Sequence, residues 1–267
     1  MVNIISIANQ KGGVGKTTTS INLCASLAAY KKRVLLIDLD PQGNATMGSG
    51  INKQSCVFSM YHVLTGKNLV PEVVLAAKAG NYKVLPANRD LVAAEVELLK
   101  EIGRESRLKL ALEDVQEEYD YIIIDCPPTL NMLTVNALVA SDGVIIPMQC
   151  EYYSLEGISA LIKTINQIQQ QLNPSLSVEG IVRTMYDPRS SLTNAVSAQL
   201  RKYFGSRVYR VSIPRNVRLA EAPSHGLPAL MYDRNSKGSV AYLALAGEIL
   251  RQAKEASEEQ KQANAGQ

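Results

Sequence analysis

The chain has 267 residues, 46% of them hydrophobic and 20% charged, with a formal net charge of +3. This is the make-up of an ordinary globular protein, long enough for one large α/β domain, and it excludes a low-complexity or chiefly disordered chain. No apolar run approaches the roughly 20 residues of a membrane helix, and the opening Met1–Gln10 has neither a basic lead nor a cleavage site, so no secretory leader is expected.

The four cysteines, Cys24, Cys56, Cys126 and Cys150, are widely spaced without a metal pattern, and are expected to be reduced core thiols of a cytoplasmic protein. Charge is unevenly spread. Arg183, Arg189, Arg201, Lys202, Arg207, Arg210, Arg215 and Arg218 face only Asp187, so residues 183–218 carry +7 and the rest of the chain −4. Such asymmetry points to a polyanionic partner.

In chain order, Asn3–Ala8 is a β-rich run, followed by glycines and a helix over Lys16–Ala29. Arg33–Leu39 reads as a second buried strand, Tyr82–Pro86 as a third, and Arg104–Gln116 as a helix. Tyr121–Asp125 and Gly143–Met148 are continuous apolar strands, and Leu155–Leu172 is a helix with glutamines on one side. Val178–Met185, Leu192–Tyr203 and Arg207–Ile213 continue as strand, helix and strand. Ile/Val runs separated by helices predict an α/β fold: a mostly parallel twisted sheet with helices on both faces. A last helix begins near Lys237. One domain is expected over residues 1–255, with a polar, disordered tail over 256–267.

Between the first strand and its helix lies Lys11–Gly12–Gly13–Val14–Gly15–Lys16–Thr17–Thr18. A strand, a glycine loop and a helix start are the context of a phosphate-binding loop. Glycines let backbone N–H groups face phosphate oxygens, and the helix N-terminus adds its positive dipole end. Lys16 is suited to the β- and γ-phosphates of ATP, and the Thr17 hydroxyl to Mg²⁺. Asp125 ends its apolar run before Cys126-Pro127-Pro128, where a carboxylate can hold Mg²⁺ through water. Asp38 and Asp40 stand near the end of the second strand, beside the ligand crevice of such sheets. Asp40 before Pro41 reads equally well as a helix N-cap followed by an N1 proline.

The loop departs from the standard pattern: Gln10 stands where its first glycine belongs, and Lys11 precedes the glycines. The form K-G-G-x-G-K-[ST] resembles the deviant Walker A motif of the MinD/ParA ATPases, a P-loop NTPase family. The segments DLDPQGNAT (Asp38–Thr46), IIIDCPP (Ile122–Pro128), QCEYYSLEG (Gln149–Gly157) and IPRNVRLAEAPSHG (Ile213–Gly226) resemble its chromosome-partitioning ParA/Soj branch. The resemblance spans nearly the whole chain.

It implies that Lys11 reaches across a homodimer interface to the partner's phosphates, that Asp40 positions the attacking water, and that Pro214 and Asn216 meet the adenine. It further implies an ATP-bound dimer that binds double-stranded DNA without sequence preference, with Arg189 and Arg218 at family contact positions and Arg215, Lys202 and Arg201 as additions. A ParB/Spo0J-like centromere-binding partner would stimulate hydrolysis, at the nucleoid. Because the loop starts at Lys11, no additional N-terminal operator-binding domain is expected. A MinD-like membrane-positioning ATPase is the alternative, but it needs a C-terminal amphipathic helix with bulky apolar and basic residues. The chain instead ends Glu-Ala-Ser-Glu-Glu-Gln-Lys-Gln-Ala-Asn-Ala-Gly-Gln, so no stable membrane association is expected. An iron–sulfur reductase of the same superfamily would need a paired-cysteine arrangement that these cysteines do not resemble.

Overall fold

The structure, a computed structural model, describes residues 2–152 and 154–265, with side chains through Glu259. Its centre is an eight-stranded sheet: β1 Asn3–Ile7, β2 Val34–Asp38, β3 Leu75–Ala76, β4 Lys83–Leu85, β5 Tyr121–Asp125, β6 Gly143–Gln149, β7 Ser177–Tyr186 and β8 Val208–Pro214. The spatial order is β3-β4-β2-β5-β1-β6-β7-β8. Every pairing is parallel except the two-residue β3, which runs antiparallel to β4.

Strand side chains alternate between two cores. Ile4, Leu35, Ile37, Ile122, Ile124, Val144 and Ile146 point to one face, where helices Leu91–Leu98, Met132–Ala140 and Ser154–Gln171 cover them. Ile5, Ile7, Leu36, Ile123 and Ile145 point to the other, against the helices Lys16–Ala29 and Lys237–Ala265. Burial on both faces explains why these strands read as unbroken apolar runs.

Register then sets the chemistry. Ile7 of β1 and Asp38 of β2 both pair with Asp125 of β5, so the phosphate loop and two carboxylates leave the sheet at one level. At the outer edge, Glu248 of the last helix accepts hydrogen bonds from the backbone N–H of Arg210 (2.7 Å) and Val211 (3.0 Å) in β8.

Several elements differ from expectation. The helix expected over Arg104–Gln116 is a helix only at Arg107–Leu112, flanked by 3-10 turns at Arg104–Ser106 and Glu113–Glu118. Helix Met132–Ala140, which the sequence reading passed over, begins where the Asn131 side chain accepts a hydrogen bond from Thr134 N–H. The final helix continues to Ala265, through most of the segment expected to be an irregular tail. Its Ala, Glu, Gln and Lys residues are strong helix formers without β-branches, and Lys254 and Glu258 pair one turn apart. Gly266 and Gln267 of that tail lie outside the described residues, as does Tyr153 of the QCEYYSLEG segment.

Candidate nucleotide site

After β1 the chain turns through Gly13 (φ 74°) and Gly15 (φ 89°) into the helix Lys16–Ala29. These angles lie in the left-handed region, so any L side chain at either position would be strained. A Cβ on Gly12 or Gly13 would meet nothing within 4 Å, so both glycines border open space. Three side chains outside the motif brace the loop. Gln149 Nε2 donates to the Gly13 carbonyl (2.9 Å), Thr184 Oγ1 to that of Val14 (2.8 Å), and Asn9 Nδ2 to that of Pro147 (2.8 Å). Asn9 Oδ1 in turn accepts from Lys11 N–H at 3.0 Å.

The two loop lysines differ sharply. Lys16 is 7% exposed, and its Nζ donates to the Lys11 carbonyl at 3.3 Å, across the mouth of the loop. Burial pulls its ammonium below the ordinary lysine range, opposed chiefly by Asp125. Lys11 has a side chain 47% exposed and pairs with Glu151 of its own chain at 2.5 Å.

Asp125 is fully buried and accepts from the Thr17 hydroxyl (2.8 Å) and the Ser20 hydroxyl (2.9 Å). It does not cap the following helix, a role that falls to Asn131. Burial, then neighbouring Asp38, pushes its carboxyl far above the usual carboxylate range. Asp38 is also raised by burial, but Thr46 restrains the shift by donating its N–H and hydroxyl to it, both at 2.7 Å. Asp38 is thus the anchor of the loop that carries Asp40.

Asp40 is half-buried; its Oδ1 accepts from Gln42 N–H (2.9 Å) and its carbonyl from Gly43 N–H (2.8 Å). The helix that follows starts only at Asn44, with Gly43 in the cap position, so Asp40 opens a tight turn and is no N-cap.

On the far side of the loop a cavity of about 230 Å³ is lined by Gly15, Thr18, Met185, Pro214, Asn216 and Tyr242, among others. Pro214 ends β8, and Asn216 caps the next short helix by accepting from Arg218 N–H at 3.0 Å. Met185 sits in the left-handed region (φ 49°) at the rim of this cavity. Loop, carboxylates and cavity all lie at the C-terminal ends of the parallel strands, where such sheets bind ligands.

A family model described as an AAA domain matches residues 2–178. The chain is 54% identical over 249 residues to the sporulation initiation inhibitor protein Soj of Bacillus subtilis, covering 93% of this chain and 98% of that protein. It is 51% identical over 248 residues to the chromosome partitioning protein ParA of Myxococcus xanthus, covering 93% and 88%. The chain belongs to the ParA/Soj family of P-loop ATPases. Among solved structures, a cobyrinic acid a,c-diamide synthase from Mycobacterium smegmatis with bound ADP and magnesium superposes with a TM-score of 0.84 at 37% identity, over 95% of this chain and 96% of that one.

The ParA/Soj assignment leaves the basic segment to be resolved by geometry, and the fold divides it. Arg183 is buried: its guanidinium donates to Ser197 Oγ (3.0 Å) and to the carbonyls of Tyr209 and Arg210 (both 2.9 Å). It ties helix Ser191–Phe204 to β8 and is unavailable to a ligand. Arg189, Arg215 and Arg218 follow the C-terminal ends of β7 and β8, on the cleft side of the sheet, and all are exposed. Arg189 is 88% exposed and forms a fork to Asp187, its Nε and Nη2 each 3.0 Å from a carboxylate oxygen. Those bonds hold the Asp187 carboxyl down to about 2. Arg218 pairs with Glu221 (2.8 Å) and Asp233 (3.3 Å). Arg201, Arg207 and Arg210 gather elsewhere, along a second cleft.

Proposed function

We propose that this chain is an ATP-gated DNA-partitioning switch: ATP closes a sandwich homodimer, the dimer holds duplex DNA without sequence preference, and hydrolysis releases it. The observation that carries this reading is the contrast between the two loop lysines. Lys16 is buried where it can serve its own nucleotide, whereas Lys11 lies on the exposed rim, held only by a surface ion pair. A surface pair of this kind is weak. Lys11 can therefore exchange Glu151 for the phosphates of a second copy, and there offset charge developing in the transition state.

Each remaining residue has a role consistent with its surroundings. Gly12 to Thr18 supply backbone N–H groups and the helix start to the phosphates. Mg²⁺ fits the oxygen donors at the loop: Thr17 would hold it directly and Asp125 through water, and when bound it neutralises phosphate charge. The buried, hydroxyl-bonded Asp125 is the carboxylate such a cation would hold ionised. Asp40 orients water without acting as a strong base. Asn216 has its carbonyl oxygen engaged by the helix cap, which leaves its amide N–H₂ for the adenine, beside Pro214. Arg189, Arg215 and Arg218 offer their forks to DNA phosphates, Arg189 and Arg218 trading the acidic partners they now hold.

A ParB/Spo0J-like centromere-binding protein is the expected stimulator of hydrolysis, and the nucleoid within the cytoplasm the expected location. No described helix is long and apolar enough to cross a membrane. The deciding experiment is binding to random duplex DNA with ATP, with ADP and without nucleotide, over a salt series. A salt-sensitive gain with ATP supports the switch. The absence of any ATP-dependent gain would sink it and direct attention to liposome binding.

A further inference from the structure

At the opposite ends of β7 and β8 from the nucleotide lies an open cleft of about 720 Å³. Arg201, Arg207 and Arg210 line it together with half-buried Glu179 of β7 and with Glu248, Gln252, Glu255 and Glu259 of the last helix. Glu248, Gln252, Glu255 and Glu259 are spaced four, three and four residues apart, so they form a single stripe along that helix. Glu248 is committed to the backbone of β8, whereas Glu255 and Glu259 are exposed.

Two facts distinguish this arrangement from an ordinary surface salt-bridge network. First, among the described residues none of the three guanidiniums makes an ion pair or a hydrogen bond. Nearby Arg183, itself buried, repels Arg201 and adds to the positive field. Second, the helix has no buried side chain from Arg251 through Glu259. Its turns from Arg251 to Glu259 thus flank the cleft beside the arginines with no buried side chain to fix them there.

We propose that Arg201, Arg207 and Arg210 are a second contact surface for the phosphate backbone of duplex DNA, screened by the acidic stripe of the terminal helix at Glu255 and Glu259. The arginine forks match phosphate geometry, and an open, charged cleft without an apolar floor suits a polyanion better than a small ligand. Arg207 and Arg215 flank β8 at its two ends, at most about 26 Å apart at strand rise. One duplex lying beside the sheet edge can thus meet both this surface and Arg215. Displacing Glu255 and Glu259 by DNA phosphates exchanges one set of anions for another, which makes the second contact conditional on the first.

The surface extends the DNA-binding reading above and rests on it, and the test separates the two. Anisotropy of labelled random duplex DNA is measured with full-length protein and ATP, at low and moderate salt, for wild type and for E255Q/E259Q. The double variant is expected to bind about tenfold more tightly at low salt, with a steeper salt dependence, since each added phosphate contact raises the slope by about 0.9. Adding R201A/R207A/R210A to it should abolish the gain. An unchanged affinity in E255Q/E259Q overturns the proposal, and so does a gain that survives loss of the three arginines. If wild type shows no ATP-dependent binding but E255Q/E259Q shows an arginine-dependent gain, the partition switch fails while this surface stands. Circular dichroism at 222 nm verifies that the glutamine variants keep the terminal helix.

Discussion

The nucleotide cleft and the basic segment are both conspicuous in the sequence, yet the fold treats them in opposite ways. The cleft gathers residues from distant parts of the chain, since Thr17, Asp38 and Asp125 meet because three parallel strands end in register. The basic segment is contiguous in sequence, and the fold disperses it into a buried strut, a forked surface group and a separate cleft. A motif whose spacing encodes backbone geometry survives folding as a unit. A count of charges does not, because burial and strand direction decide where each one points.

The largest expected effect lies in the cleft. Lys16→Ala should abolish measurable ATP binding by calorimetry, since it removes the buried ammonium proposed to meet the phosphates; retained binding would break the parallel with other P-loops. Next, Asp40→Ala should leave ATP binding intact but slow hydrolysis by about two orders of magnitude or more, as loss of a positioned catalytic group does. The product should be a persistent dimer in gel filtration with ATP, and a monomer that fails to bind ATP would contradict the assigned role.

Within the basic segment the same change should have two different outcomes. Arg183→Ala should lower unfolding stability by about 1–3 kcal/mol, because it strips hydrogen bonds from the buried carbonyl of Tyr209 and the part-buried carbonyl of Arg210. Arg189→Ala should shift stability by no more than about 0.5 kcal/mol while weakening salt-sensitive DNA binding. Equal stability losses in denaturant melts would erase the distinction drawn here.

The smallest effect is a pH dependence. Asp125 and Asp38 have folded-state affinities for protons above their unfolded values, so the folded form binds more protons from about pH 4 upward. Stability of the nucleotide-free protein should therefore fall as pH rises from 5 to 8, with Tm dropping by about 2–4 °C for each kcal/mol lost. Asp125→Asn should flatten that profile. A wild-type melting curve that improves over the same range would refute the raised affinities.

Much of this was legible beforehand. Apolar runs separated by helical segments gave the sheet and its two covered faces, and the glycine loop is where it was read, between the first strand and its helix. What escaped was set by tertiary context. Gln149 and Thr184 brace the loop from strands far along the chain, and no local pattern marks them. Asp38 carried no assigned role in the sequence, and only the fold shows it buried and bonded to Thr46, as the anchor beneath half-buried Asp40. Helix Met132–Ala140 went unread because it follows a Pro-Pro turn, and its uniformly buried residues lack a polar face to reveal a helical period. Arg183 carried no sign that it would be inside.

The bond from Glu248 to β8 bears on the outer edge of the sheet. An outer parallel strand with free N–H groups is a template on which other chains can add strands and aggregate. Here one carboxylate occupies two successive donors, and at the opposite edge β3 stops after two residues. A foreign strand docking on β8 would first have to evict a buried carboxylate from the pair of amides it satisfies. The sheet therefore terminates on this side in a chemical stopper, and a Glu248→Ala protein would expose a ready nucleus for misassembly.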